Sequence, residues 1–242
     1  MSPIDRAAHL NHWRKKPLIE KALLALGMLV LALVLPPGAG APLIAVVMSA
    51  AAIFFARVPV SLWLSCAAAP MGFLAVGVVS LVLRIDSDGV GLAPGGFAAA
   101  AFLAARAIAG VTCLLFLALT TPTTDLIAGL RRLGLPPEVA EIALLMYRFL
   151  FILADAALAM DAAQAARLGH VGARRRLRSL GLLIANLLPR AFDRARRMEI
   201  GLAARGWHGD MRVLSDAPPA TFAGLGAILL TVAATAAAGL YL

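Results

Sequence analysis

Lysine is nearly missing from this 242-residue chain: the only three stand at positions 15, 16 and 21. No G-x-x-x-x-G-K-[ST] stretch can therefore occur beyond that point, and the chain has no P-loop to cradle the phosphates of a nucleotide. Cysteine is equally scarce. Cys66 and Cys113 both lie in apolar runs, where they read as small buried hydrophobes, with neither a disulfide framework nor structural-zinc spacing. Charged residues are only 14% and aromatics 6%, too few for the surface of a soluble domain or for a base-stacking platform. No nucleophile and base pair up in the pattern of an active site, so an intrinsic enzyme is not expected. Asp5, His9 and His12 fall at helical spacing, yet a near-terminal histidine pair on a polar segment is more often incidental than a metal site. No metal ligands and no cofactor are expected in this chain.

What is abundant is apolar. Hydrophobic residues are 62% and mean hydropathy is +0.89, which places the chain among integral membrane proteins. Spanning segments in such a composition are helices, so the expected fold is all-α and polytopic, with about five transmembrane helices. The net charge of +9 has a ready explanation, because cytoplasmic loops gather Lys and Arg. Without a basic patch interleaved with aromatics, nucleic acid is set aside as a partner.

Residues 1–21 are polar and basic, followed by an apolar run at 22–35 and then Pro36-Pro37-Gly38-Ala39-Gly40-Ala41. This imitates a signal peptide, but further apolar spans follow and Pro42 is a poor residue to leave at a cleaved end, so the span is expected to remain. The run 43–83 is broken only by Arg57-Val58-Pro59. Its first part, 43–56, is short for a span and must borrow neighbours, thin the bilayer or form a tight helical hairpin. A turn-rich loop is expected over 84–96 and the next span over 97–119. Arg106 lies inside that span, where it is either a functional residue or one that snorkels or pairs within the bundle. The chain thus divides into an N-terminal membrane domain of about four spans (1–119), an arginine-rich cytoplasmic domain (120–216) and a last transmembrane helix (217–242).

Within 120–216 a short helix is expected over 125–133. A long one should start near Pro137, with Glu138 in its first turn, and run towards Gly169. Arg148 and Asp155 fall two turns apart on it, and each is expected to find a polar partner. A second helix over 174–206 carries an amphipathic stripe of Leu177, Leu180, Ile184, Leu187, Ala191, Ala195, Met198 and Leu202. Pro189 is expected to kink or divide it. Arg194 and Arg205 share nearly one azimuth. Arg174, Arg175, Arg176 and Arg178 read as a solvated basic face near anionic lipid.

Two short pieces stand out, Ala166-Arg167-Leu168 and Ala204-Arg205-Gly206. Each follows a helical run, with Gly169 just after the first. A helix C-terminus with its favoured cation and glycine cap accounts for either alone. As a pair they read as a docking surface, since an exposed guanidinium offers a rigid fork to a partner's carboxylate. Orientation follows from charge. Fourteen Lys+Arg lie between 120 and 216, against Arg84 alone in the loops 36–42 and 84–96, so the N-terminus and the arginine block share the cytoplasmic side. A further span at 142–160 would break that parity and is not expected.

The stretches Ile4-Asp5-Arg6-Ala7-Ala8, Ala56-Arg57-Val58-Pro59, Tyr147-Arg148-Phe149, Gln164-Ala165-Ala166-Arg167 and Arg190-Ala191-Phe192-Asp193-Arg194-Ala195-Arg196-Arg197 through Ala203-Ala204-Arg205-Gly206-Trp207 together resemble the T component of energy-coupling-factor transporters, in its cobalt/nickel-type (CbiQ) branch. The first motif departs from the pattern in having Leu168 where glycine is usual. The resemblance implies a multi-pass subunit of a bacterial inner membrane with its N-terminus in the cytoplasm. Two cytoplasmic ABC-type ATPase subunits, which bind ATP and Mg, would be coupled through it to a substrate-capturing membrane protein (S component), with room for a small accessory membrane subunit. It also implies ATPase docking at Ala166, Arg167, Leu168, Ala204, Arg205 and Gly206, supported by Arg190, Asp193, Arg194 and Arg197 along the coupling helix, and cobalt or nickel as cargo. A T component serving a vitamin or other micronutrient is the alternative within the family. A conventional ABC permease would need an E-A-A-x-x-x-G loop ending in I-x-L-P, which Arg176 and Asn186 interrupt. A secondary transporter would need repeated halves or mid-membrane acids, and a passive scaffold remains open.

Overall fold

The structure is a computed structural model and describes residues 3–35, 38, 40–86, 89–92, 94–206 and 221–241. Trp207, the end of the arginine block at 216 and the expected start of the last span at 217 lie outside the described residues. In chain order the elements are α1 (Pro3–Leu10), a 3₁₀ turn (His12–Lys15), α2 (Leu18–Val34), α3 (Gly40–Ala50, continued as a π turn over Ala51–Phe55) and α4 (Val60–Val82). After the strands β1 (Leu83–Asp86) and β2 (Gly89–Leu92) come α5 (Gly96–Thr120), α6 (Thr123–Arg132), α7 (Pro137–Ala166), α8 (Ala173–Ala203) and α9 (Phe222–Tyr241).

The architecture is all-α, with one correction. The segment expected as a turn-rich loop over 84–96 contributes to an antiparallel hairpin, Leu83 opposite Leu92 and Asp86 opposite Gly89. Leu83, Ile85 and Val90 favour extended backbone, and a two-residue gap between strands is the spacing of a tight hairpin. Helices α4, α5, α7 and Phe222–Gly239 of α9 are long and apolar enough to cross a bilayer, whereas α2 (17 residues) and Gly40–Phe55 are shorter. On length and composition α7 therefore qualifies as a span, where none was expected over 142–160. Pro189 does not divide α8, which runs through it unbroken. The carbonyl of Ala185, left without its amide partner, lies on an exposed part of the helix where water can satisfy it.

Contacts separate residues 1–129 with 215–242 from residues 130–214. The first unit is built around α5, which packs on α1, α2, α3 and α4. Ala109, Cys113, Phe116 and Leu119 recur along its buried face and meet Met28 of α2 and Ile44 and Met48 of α3. Three polar contacts fix this unit. Lys21, 1% exposed, donates from Nζ to the Thr120 carbonyl at 3.0 Å, beside the charge of Asp125. Arg106 donates to the Leu35 carbonyl at 2.9 Å, placing its cation at the C-terminal end of α2. It is thus paired inside the bundle. Glu20, also buried, accepts from the Thr221 amide at 3.2 Å, so a carboxylate sits at the positive end of α9. Gly224 makes room for it, since a Cβ there would meet the Glu20 carboxylate.

In the second unit α7 and α8 form a helical hairpin. Near the turn, Gln164 Nε2 donates to the Ser179 carbonyl at 3.2 Å. Of the stripe on α8, Leu187, Ala191, Met198 and Leu202 are half-buried, but Leu177, Leu180, Ile184 and Ala195 stand exposed, so the stripe packs along only part of its length within this unit.

Candidate functional site

Both arginine motifs end their helices in the same way. At the first, α7 finishes at Ala166 and Arg167 has φ −93 and ψ 19. The Leu168 amide bonds to the Ala165 carbonyl at 3.0 Å and the Gly169 amide to the Gln164 carbonyl at 2.9 Å, the two bonds of a Schellman cap. Leu168 takes the left-handed conformation, φ 59, that glycine would take there. The turn is further tied by Ser179 Oγ donating to the Gly169 carbonyl at 3.1 Å and by His170 Nε2 at 3.0 Å from Asp161. At the second, α8 finishes at Ala203, Ala204 stays helical, and the Arg205 and Gly206 amides bond back to Leu202 and Ala203, each at 3.0 Å. Gly206 has φ 69. In each motif the residue directly after the arginine is left-handed, and all six residues are exposed.

Leucine in that conformation costs about 1–2 kcal/mol, and its side chain, 64% exposed, recovers little of this by packing. Leu168→Gly is expected to raise stability by up to about 1 kcal/mol, in part offset by the greater freedom of glycine when unfolded. Unfolding of the purified protein in detergent checks this, and a clear loss of stability would contradict it.

The two motifs lie at opposite ends of α8, which at 31 residues separates them by roughly 45 Å. Arg205 is not isolated. With Arg194 and Arg197 of α8 and Arg148 of α7 it rims a cleft of about 290 Å³ whose floor includes Phe149, Met198 and Leu202. No acidic residue lines this cleft, and among the described residues none of the four guanidiniums has a hydrogen bond or ion pair. Four unneutralised cations over an apolar floor focus a positive potential, and planar guanidiniums grip carboxylates bidentately. The cleft suits an acidic, partly apolar segment.

The shared azimuth of Arg194 and Arg205 brings both to this cleft. Arg167 belongs to the other end of the hairpin, and Arg190 and Asp193 are exposed on α8 outside the cleft. The expectation for Arg148 and Asp155 is corrected. Both are exposed, and among the described residues neither has a polar partner, because the charged groups that share the cleft with Arg148 are other guanidiniums and Asp155 does not line it. Arg148 is the site residue that local spacing did not assign; only its place in Tyr147-Arg148-Phe149 marked it. At the N-terminus, Asp5 and His9 lie 3.7 Å apart, but among the described residues no three of His, Cys, Asp and Glu gather as metal ligands would.

Such helices define a multi-pass, all-α membrane protein. Residues 11–214 match the family model for CbiQ, cobalt transport protein, and the chain belongs to this family. It is 54% identical to the cobalt transport protein CbiQ of Rhodobacter capsulatus over 242 residues, covering 100% of this chain and 99% of that one. The CbiQ of Salmonella typhimurium is 31% identical over 227 residues, 88% of this chain and 100% of its own. A chain from Methanocorpusculum labreanum, named as a fused cobalt transport protein CbiMQ, is 28% identical over 180 residues, 69% of this chain and 30% of that one.

Proposed function

We propose that this chain is the energy-coupling subunit of an ATP-driven importer in the bacterial inner membrane. It transmits the motion of two cytoplasmic ATPase subunits to a separate membrane protein that captures the substrate, cobalt or nickel ion. The observation that carries this reading is the repeated end: the same Ala-Arg turn with a left-handed residue after it, twice, at the two ends of one helix. Matched shapes roughly 45 Å apart ask for two copies of one kind of partner surface. The chain has no P-loop, so ATP and its Mg ion belong to those partners and this subunit is not itself an enzyme. The relative named as a CbiMQ fusion supports a membrane partner in the capture role.

The direct experiment is co-expression with the ATPase and capture subunits, mild solubilisation and purification through a tag on this chain. ATPase chains are expected in the purified complex, with ATP-dependent cobalt or nickel uptake in cells. Absence of ATPase from a stable preparation would leave a passive scaffold as the better reading. Orientation has its own test. Reporters fused after Leu133 and after Asp210, the latter outside the described residues, should read cytoplasmic and one at Gly91 external. An external signal at Asp210 would overturn the five-span arrangement.

A further inference from the structure

The first unit holds a second basic cavity, of about 480 Å³, where α1 and the residue after it meet the start of α4. Arg6, Leu10 and Asn11 line one side, Arg57, Pro59 and Leu62 the other. No acidic residue lines it, and among the described residues neither guanidinium has a hydrogen bond or ion pair. Arg57 is held there by a strained backbone: its φ is 55 in a residue with a side chain, while Ala56 and Val58 on either side are 0% and 3% exposed. The left-handed bend turns the one cation between two core residues outwards. Asn11 donates from Nδ2 to the Leu119 carbonyl at 2.9 Å and to Ala8 at 3.3 Å, leaving its Oδ1 without a partner.

The surroundings decide which anion fits. Pro59 directly precedes α4, a helix of membrane-spanning length whose most apolar stretch has no residue buried in the protein. Leu10 is 78% exposed at the cavity, and Val60 and Leu64 face outwards on α4. Two cations therefore sit at the boundary between polar chain and apolar helix, beside uncovered apolar surface. We propose that this cavity binds the headgroup of an anionic glycerophospholipid. The phosphodiester lies between Arg6 and Arg57, and the acyl chains run along Leu10 and the outer face of α4.

The test uses the full chain, purified in a mild detergent and titrated with phosphatidylglycerol, phosphatidylcholine or soluble glycerol phosphate while bound lipid is counted by native mass spectrometry. Each arginine near a lipid surface contributes about fivefold in affinity, so Arg6→Gln with Arg57→Gln should weaken phosphatidylglycerol binding about thirtyfold. Arg196→Gln, exposed on α8 and outside both clefts, should leave it unchanged. Arg57→Gly, which relieves the bend as it removes the cation, keeps the test valid if the double variant folds poorly; it should bind more weakly at undiminished thermal stability. Equal retention by wild type and variants, equal binding of phosphatidylcholine, or equal competition by glycerol phosphate would each overturn the assignment. So would a co-purifying protein that fills the cavity and excludes lipid. The readout needs neither ATPase nor metal, so its failure is distinct from failure of the coupling role.

Discussion

Arg167→Glu combined with Arg205→Glu is expected to abolish both ATPase co-purification and metal uptake while the protein still folds. Both side chains are exposed and, among the described residues, without a polar partner, so folding loses little when they change. At an interface the arithmetic reverses. Truncating one partner of a buried interfacial charge pair costs about 2–5 kcal/mol, or about 30-fold to about 4,000-fold in affinity per site, and charge reversal adds repulsion. Arg174→Glu with Arg175→Glu, on the exposed first turn of α8, should leave assembly and uptake near wild type. Arg148→Ala should fall between, weakening only the partner proposed for the cleft that it shares with Arg205. Uptake and bound ATPase measured at matched expression decide this. Retention of both by the Arg167/Arg205 variant, with loss in the Arg174/Arg175 variant, would move the docking surface elsewhere.

The largest folding effect should come from a residue with no part in docking. Lys21→Ala leaves the Thr120 carbonyl buried without a donor, about 1–3 kcal/mol, and removes a stem packed in the core, roughly 2 kcal/mol more. The attraction to Asp125 adds little to this total, because Asp125 is partly exposed. Lys21→Met, which keeps the stem, should lose about 1–3 kcal/mol. Arg174→Ala, exposed and among the described residues without a hydrogen bond or ion pair, should stay within about 0.5 kcal/mol. Unfolding in detergent micelles gives the ranking, and a Lys21→Ala variant as stable as Arg174→Ala would show that the buried ammonium contributes nothing.

Much of this was legible locally. Pro137 and Glu138 mark the start of α7, and the Ala-Arg pairs mark where α7 and α8 stop, because caps and first-turn charges act within a few residues. Apolar run length found the helices of the membrane unit for the same reason. What escaped depends on which faces meet. Arg148 joins Arg205 only because two helices pack back on each other, and nothing in the period of either one says so. Arg106 reads as an intramembrane charge of open purpose until the Leu35 carbonyl is seen beside it. Leu168 breaks the glycine pattern yet keeps its backbone, since the surrounding bonds to Gln164 and Ser179 over-determine the turn.

The carboxylate of Glu20 meets an amide 201 residues further along. The membrane unit is therefore assembled from both sides of an insertion, residues 130–214, which must be synthesised before the last helix can emerge. At about 5–20 residues per second that insertion alone takes roughly 4–17 s. Throughout this interval the faces of α2 and α3 that will receive α9 are uncovered, and Glu20 waits in place without the amide it will serve. A nascent bundle left open for that long needs cover from lipid, an insertase or another subunit. Whatever covers those faces of α2 and α3 has to leave before α9 can take its place.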